Sequence, residues 1–301
     1  MSKISIIGAG NVGATAAQFI AMSEVVDDVI LIDVKENYAE GKAVDISQSL
    51  ILLGSRTKVS GYTGNYEPTK DSDVIVITSG VPRKPGMTRE ELVGTNANVV
   101  KSVLSKTHKY SPKAIYVIVS NPVDTMTYLG VKYLKKLGKE DSETTVLGMG
   151  GLLDTARFHY YQDIAGLPYA DGEVVGGHGD TTMIPLFDES QRKDVSDSLA
   201  EAIVEKTKIG GATLTGMLGT SAWMAPAAAI KEVVSDIINN FTFGEFPHSV
   251  YRPEYDACIG TPVCIGKHGV LSISREDYED SDKFQNSLKA VKEVNKALGE
   301  I

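Results

Sequence analysis

Lys3-Ile4-Ser5-Ile6-Ile7-Gly8-Ala9-Gly10-Asn11-Val12-Gly13 runs from an apolar pentapeptide straight into G-x-G-x-x-G. Helical spacing follows at Val12, Ala16, Phe19 and Ile20, so the stretch predicts strand, tight turn and helix in immediate succession. Each glycine has its own task. Gly8 permits the turn, Gly10 lets backbone approach a pyrophosphate, and Gly13 lets helix and strand close on each other. The helix opening at Asn11 and Val12 offers free N–H groups and partial positive charge to that anion. A second apolar run, Val29 to Ile32, ends in Asp33, twenty residues after Gly13. A carboxylate there hydrogen-bonds the adenosine ribose hydroxyls and repels a 2′-phosphate, which makes NAD the expected cofactor rather than NADP. Glycine turns between strands and helices are common, and Asp33 could merely cap the next helix. Strand, glycines and spacing together argue for the cofactor.

Outward from this unit the rhythm repeats. Strands are predicted at Val74–Ile77 and Ala114–Val119, and helices at Tyr38–Leu53 and Glu90–His108. Near-continuous Val/Ile runs, without polar alternation, mean strands buried on both faces. The expected fold is α/β: a Rossmann-type doubly wound parallel sheet followed by an α+β substrate and catalytic domain. The division is placed at residues 1–143 and 144–301. The second part is predicted to carry helices at Leu152–Ala165, Ser196–Lys208, Ala222–Asn239 and Ser281–Leu298, with a hairpin around Lys267-His268-Gly269.

Composition excludes several function classes. The net charge of −9 argues against nucleic acid or an anionic membrane as partner, because both reward a basic surface. No window approaches the ~18 apolar residues of a membrane span. Cys258 and Cys264 are the two cysteines, without a C-x-x-C, so neither a disulfide framework nor a cysteine-rich metal site is expected. No metal is expected. The N-terminus lacks a signal-type apolar segment, and a cytoplasmic location is expected.

His178 stands in Gly176-Gly177-His178-Gly179-Asp180-Thr181, where flanking glycines leave room beside an imidazole that titrates near neutral pH. Asp154 opens a helical segment and Arg157 follows on the same face. The bland account is an ordinary ion pair. The functional one makes Asp154 the orienter of His178 and Arg157 a bidentate clamp for a carboxylate. Arg83, Lys84 and Arg89 lie on a Pro/Gly-rich loop, either a solvated basic loop or a lid that closes over an anionic substrate.

Together the motifs Gly8 to Gly13, Asp33, Arg83 to Arg89, Ser120-Asn121-Pro122-Val123-Asp124, Leu153 to Phe158 and Gly177 to Thr181 resemble the malate/lactate dehydrogenase family, in particular its lactate-dehydrogenase-like malate branch. The likeness extends through Ser221–Ala227 and Gly260–Val263. It implies His178 as acid/base paired with Asp154, Arg157 on the carboxylate beside the reacting carbon, and Arg89 polarising the carbonyl. It implies Asn121 near substrate and nicotinamide, Asn96 with the cofactor, and a cis Pro122. Arg83 occupies the position where lactate-specific relatives usually carry Gln, and its guanidinium suits the second carboxylate of malate. The implied activity is NAD-dependent oxidation of a small dicarboxylate by a homo-oligomer, dimer or tetramer. Other readings are a lactate or other 2-hydroxyacid dehydrogenase, an NAD-sensing protein without catalysis, and an NAD-dependent glycosidase, for which no metal-ligand spacing is evident. Three departures from the pattern stand out: a short Asp171–Val175, an extra residue in Thr181–Pro185, and Trp223-Met224 in place of an aromatic pair.

Overall fold

The computed structural model describes residues 2–81, 88–168, 170–240, 245–274 and 277–301. In the first half, β1 (Lys3–Ile7), α1 (Asn11–Met22), β2 (Asp28–Asp33), α2 (Tyr38–Leu53) and β3 (Lys58–Thr63) are followed by β4 (Val74–Ile77), α3 (Arg89–Tyr110), β5 (Ile115–Ile118) and α4 (Val123–Lys136). Next come α5 (Ser142–Thr145), β6 (Val146–Gly148), α6 (Gly151–Ile164), β7 (Glu173–Gly176), β8 (Met183–Leu186), α7 (Glu189–Arg192), α8 (Asp197–Leu218) and α9 (Met224–Asn239). Strands β9 (Phe246–Arg252), β10 (Ala257–Gly266) and β11 (Gly269–Ile273) and helix α10 (Asp282–Asn295) complete the chain.

The sheet order is β3-β2-β1-β4-β5-β6-β9-β10-β7-β8, with β11 on β10. The first six strands pair in parallel, with Ile4 opposite Val29 on one side and Val74 on the other. Helical crossovers make parallel pairing possible. Alternate strand residues feed two separate apolar layers. Ile4, Ile6, Val29, Leu31, Val74 and Val76 pack with α1, α2 and α9. Ile7, Ile30, Ile32, Ile75 and Ile77 pack with α3 and α4. Covering both faces is what strips polar alternation from these strands, and each fully buried Ile or Leu contributes roughly 1.5–3 kcal/mol. Because β1 sends one neighbour to β2 and the other to β4, the winding reverses between β1 and β4. Their carboxyl ends lead to Gly8 and to Thr78–Gly80, and a crevice opens there. Strand β6 starts at residue 146 and is the sixth parallel strand; its Gly148 pairs with Ser249 of β9, and the sheet continues antiparallel.

Helix α8 and strand β3 depart from expectation for identifiable reasons. Helix α8 runs to Leu218, ten residues past Lys208, because Gly210 and Gly211 do not end it. They face α6: added Cβ atoms would lie 3.3 Å from the Tyr161 ring and 3.5 Å from Arg157 Nη1. Strand β3, Lys-Val-Ser-Gly-Tyr-Thr, lacks an apolar run because it is an edge strand with partly exposed side chains. Its Gly61 admits α2, since a Cβ there would meet the Ala39 carbonyl oxygen at 2.1 Å.

Candidate active site

The glycine loop has the geometry its spacing predicts. Gly8 has φ +112°, and a Cβ on it would lie 2.8 Å from both the Ser79 amide nitrogen and Thr78 Oγ1. A Cβ on Gly13 would lie 1.9 Å from the Gly8 carbonyl oxygen, so no other residue fits. Among the described residues nothing lies within 4 Å of a Cβ built on Gly10, and α1 begins without a side-chain cap. The N–H groups of the first turn of α1, at Asn11, Val12 and Gly13, are therefore placed to hold a pyrophosphate. Asp33 braces this loop: Oδ2 accepts the Ala9 N–H at 2.8 Å and Oδ1 accepts the Lys35 N–H at 2.9 Å. Each oxygen keeps a lone pair for a ribose hydroxyl.

Two clefts meet along Gly10, Thr78, Gly80 and Val81. One, of about 560 Å³, holds Asp33 and Tyr66. The other, of about 350 Å³, holds Asn11, Asn121, Arg157 and His178. A ligand with two halves joined by a pyrophosphate fits this pair, and the residues present suit a dinucleotide. Asn96 lines the second cleft but is 1% exposed, and its amide is engaged with backbone. Its Oδ1 accepts the Val81 N–H at 2.8 Å, and its Nδ2 donates to the carbonyls of Asn121 at 2.7 Å and Val81 at 3.2 Å. The Asn121–Pro122 peptide is cis.

His178, Asp154 and Arg157 come together. Asp154, 1% exposed in the first turn of α6, accepts at Oδ1 from Arg157 Nη1 (2.8 Å). Its Oδ2 lies 2.6 Å from His178 Nδ1. Gly150 makes room for the ring, since a Cβ there would lie 3.0 Å from His178 Cβ. Burial by itself pushes the His178 pKa down. The Asp154 charge and hydrogen bond, with a smaller push from Asp124, outweigh burial and the opposing Arg157 cation, so the net direction is up. With Nδ1 tied to a carboxylate, Nε2 is the nitrogen left for a substrate. Among the described residues Arg157 Nε is buried without a hydrogen-bond partner, a donor suited to an anionic ligand.

Residues 2–143 match the family profile described as lactate/malate dehydrogenase, NAD binding domain, and residues 153–299 match its alpha/beta C-terminal domain. The chain belongs to the lactate/malate dehydrogenase family. The malate dehydrogenase of Parabacteroides distasonis is 50% identical over 317 aligned residues, covering 100% of this chain and 99% of that protein. The crystal structure of Cryptosporidium parvum malate dehydrogenase superposes with a TM-score of 0.90 at 34% identity, covering 100% and 99% of the two chains. The lactate dehydrogenase of the same organism, complexed with lactic acid and nicotinamide adenine dinucleotide, superposes with 0.88 at 30% identity, covering 100% and 98%.

Within this lactate/malate dehydrogenase frame, Arg83 lies outside the described residues, as does the side chain of Arg89. The backbone of Arg89 is the first residue of α3, and that start is set by a capping box. Thr88 Oγ1 accepts the Glu91 N–H at 3.1 Å while Glu91 Oε2 accepts the Thr88 N–H at 2.9 Å. Sequence reasoning singled out neither Asp124 nor Ser249. The signal for Asp124 was present: a carboxylate in the first turn of a helix that is otherwise largely buried. Ser249 carries none, being one residue in a strand without a motif. Cys258 is buried as expected, whereas Cys264 is half-buried; both are free. No described helix is long and apolar enough to cross a membrane.

Proposed function

We propose that this chain is an NAD-dependent malate dehydrogenase that interconverts (S)-malate and oxaloacetate. The observation that carries it is Asp154 holding His178 Nδ1 and Arg157 Nη1 together, at the end of a cleft that begins over the Gly8–Gly13 loop. NAD, when bound, supplies the hydride acceptor. Gly8, Gly10, Asn11, Val12, Gly13 and Asp33 would hold it, with Asn121 near its reactive end and Asn96 bracing that region through backbone. In malate oxidation neutral His178 takes the hydroxyl proton at Nε2, and Asp154 stabilises the imidazolium as it forms. Oxaloacetate reduction starts from protonated His178. Arg157 grips the carboxylate beside the reacting carbon, Arg89 draws charge onto the carbonyl oxygen, and Arg83 pairs with the distal carboxylate.

Backbone likeness extends to malate and lactate enzymes alike, so the choice between substrates rests on side chains. The higher identity to malate dehydrogenases and an arginine at 83 favour the diacid. The chain is proposed to divide near residue 143 into a cofactor part and a catalytic part, the latter lending β6 to the parallel sheet. It is proposed to act as a homo-oligomer, supported by exposed apolar side chains on α2 (Val44, Ile51, Leu52) and around α8–α9 (Met217, Leu218, Met224). Two free cysteines support a reducing, cytoplasmic location. The deciding assay follows NADH loss with oxaloacetate and with pyruvate, then repeats both with NADPH. Faster turnover with pyruvate than with oxaloacetate overturns the malate reading.

A further inference from the structure

His178 is addressed by a second carboxylate, and on a different group. Asp124 Oδ2 accepts the backbone N–H of His178 at 2.7 Å, while its Oδ1 accepts Ser249 Oγ at 2.7 Å. Asp124 is 7% exposed and Ser249 1% exposed. Three separate elements therefore converge on one residue. Helix α6 holds the imidazole through Asp154, α4 holds the main chain through Asp124, and β9 holds Asp124 through Ser249. The approach of β9 depends on a glycine. Gly148 pairs with Ser249 across β6–β9, and a Cβ on Gly148 would lie 2.9 Å from Ser249 Cβ. His178 sits between glycines 177 and 179, so its own backbone does little to set where the ring stands.

We propose that Asp124, seated by Ser249, is a positioning residue for the acid–base step: it fixes the height of His178 in the cleft and adds negative charge beneath the imidazolium. This rests on His178 being the acid–base. The arrangement of two donors on two oxygens suits an ionised carboxylate, although burial raises its proton affinity. Among the described residues, the charged groups that act on His178 are Asp154 and Arg157 from α6 and Asp124 from α4, while Asp180 lines the same cavity as His178 and is exposed. Beside Asp124, β10 contributes the Cys258 thiol, which burial keeps neutral. Removing the Asp124 charge takes away one of the two carboxylates that favour the protonated imidazole among the described residues, and His178 gives up its proton more readily.

The test uses the full-length protein and four variants, read by kcat, by NADH affinity from fluorescence titration, by melting temperature and by the pH profile of oxaloacetate reduction. Asp124→Ala is expected to lower kcat roughly 100-fold, as displacement of a catalytic group by about an ångström does, with NADH affinity within about twofold. Asp124→Asn can still accept the His178 N–H. It is expected to recover most of kcat and to move the alkaline limb of the profile down by roughly one pH unit. Ser249→Ala, which removes the seat but not the charge, should cost a few-fold to about tenfold in kcat. Three results overturn the proposal. The first is an Asp124→Asn profile that superimposes on the parent. The second is an Asp124→Ala kcat within about twofold of the parent. The third is loss of NADH affinity in step with kcat and melting temperature, which marks general packing. His178→Asn separates this from the underlying reading. If that variant keeps its kcat, the acid–base assignment itself falls. If it is inactive with NADH binding intact while the Asp124 and Ser249 variants behave as the parent, the Asp124 proposal alone falls.

Discussion

Asp154→Asn keeps the size of a side chain that is 1% exposed but removes the charge shared by His178 and Arg157. With Nδ1 to Oδ2 at 2.6 Å, the charge centres stand about 4 Å apart. At an effective dielectric constant of about 20 their attraction is roughly 4 kcal/mol. That attraction exists when His178 is protonated, the state formed during malate oxidation. A barrier higher by about 4 kcal/mol lowers kcat about 10³-fold. The pH response has a definite sign. The net direction of the His178 shift is up, and Asp154 is its largest upward cause. Without that charge His178 loses its proton at lower pH. Oxaloacetate reduction needs the protonated ring, so its alkaline limb moves to lower pH; malate oxidation needs the neutral ring, so its acid limb also moves to lower pH. The assay is NADH absorbance in both directions across the pH range, with NADH affinity as the control. A kcat within tenfold of the parent, or limbs that stay in place, would refute the electrostatic coupling.

Arg83→Gln should lower kcat/KM for oxaloacetate by orders of magnitude and spare or improve pyruvate; equal losses on both would remove Arg83 from substrate choice. Asp33→Ala should weaken NADH more than NADPH, and an unchanged ratio of affinities would count against the ribose contact. His248 is 1% exposed, and burial lowers its pKa to about 4 from 6.5. A lowered value means that the unfolded chain binds this proton first, so stability holds above about pH 6.5 and is lost as pH falls toward 4. The loss is roughly 3 kcal/mol. His248→Val should flatten the fall of melting temperature across that window, and an equally steep fall would mean that His248 is not the acid-labile group.

Much of this molecule is legible in its amino-acid order because its signals are local. The Val/Ile runs of β1, β2, β4 and β5 read as doubly covered strands because apolar layers lie on both faces. Gly8 and Gly13 read as a close strand–helix turn because steric exclusion acts within one turn of chain. Asp154 and Arg157 share a face because helical geometry brings residues three apart together. Among the strands not predicted, β3 lies at an exposed edge and β6 is three residues long, so neither carries such a signal. The predicted end at Lys208 falls short of Leu218, and Gly210-Gly211 inside α8 is a packing surface, because only the position of α6 shows what a side chain there would strike.

What the amino-acid order determined by itself was therefore the cofactor-type turn, the parallel half of the sheet and the separate pieces of the catalytic group. The tertiary structure alone decided which pieces meet. His178 is 24 residues from Asp154 and 54 from Asp124, and Asp124 is 125 residues from Ser249. Separations of that size carry no periodicity. They close because β9 enters the sheet beside β6, where Gly148 leaves room for Ser249 and so brings the last quarter of the chain against the first helix turn after Pro122.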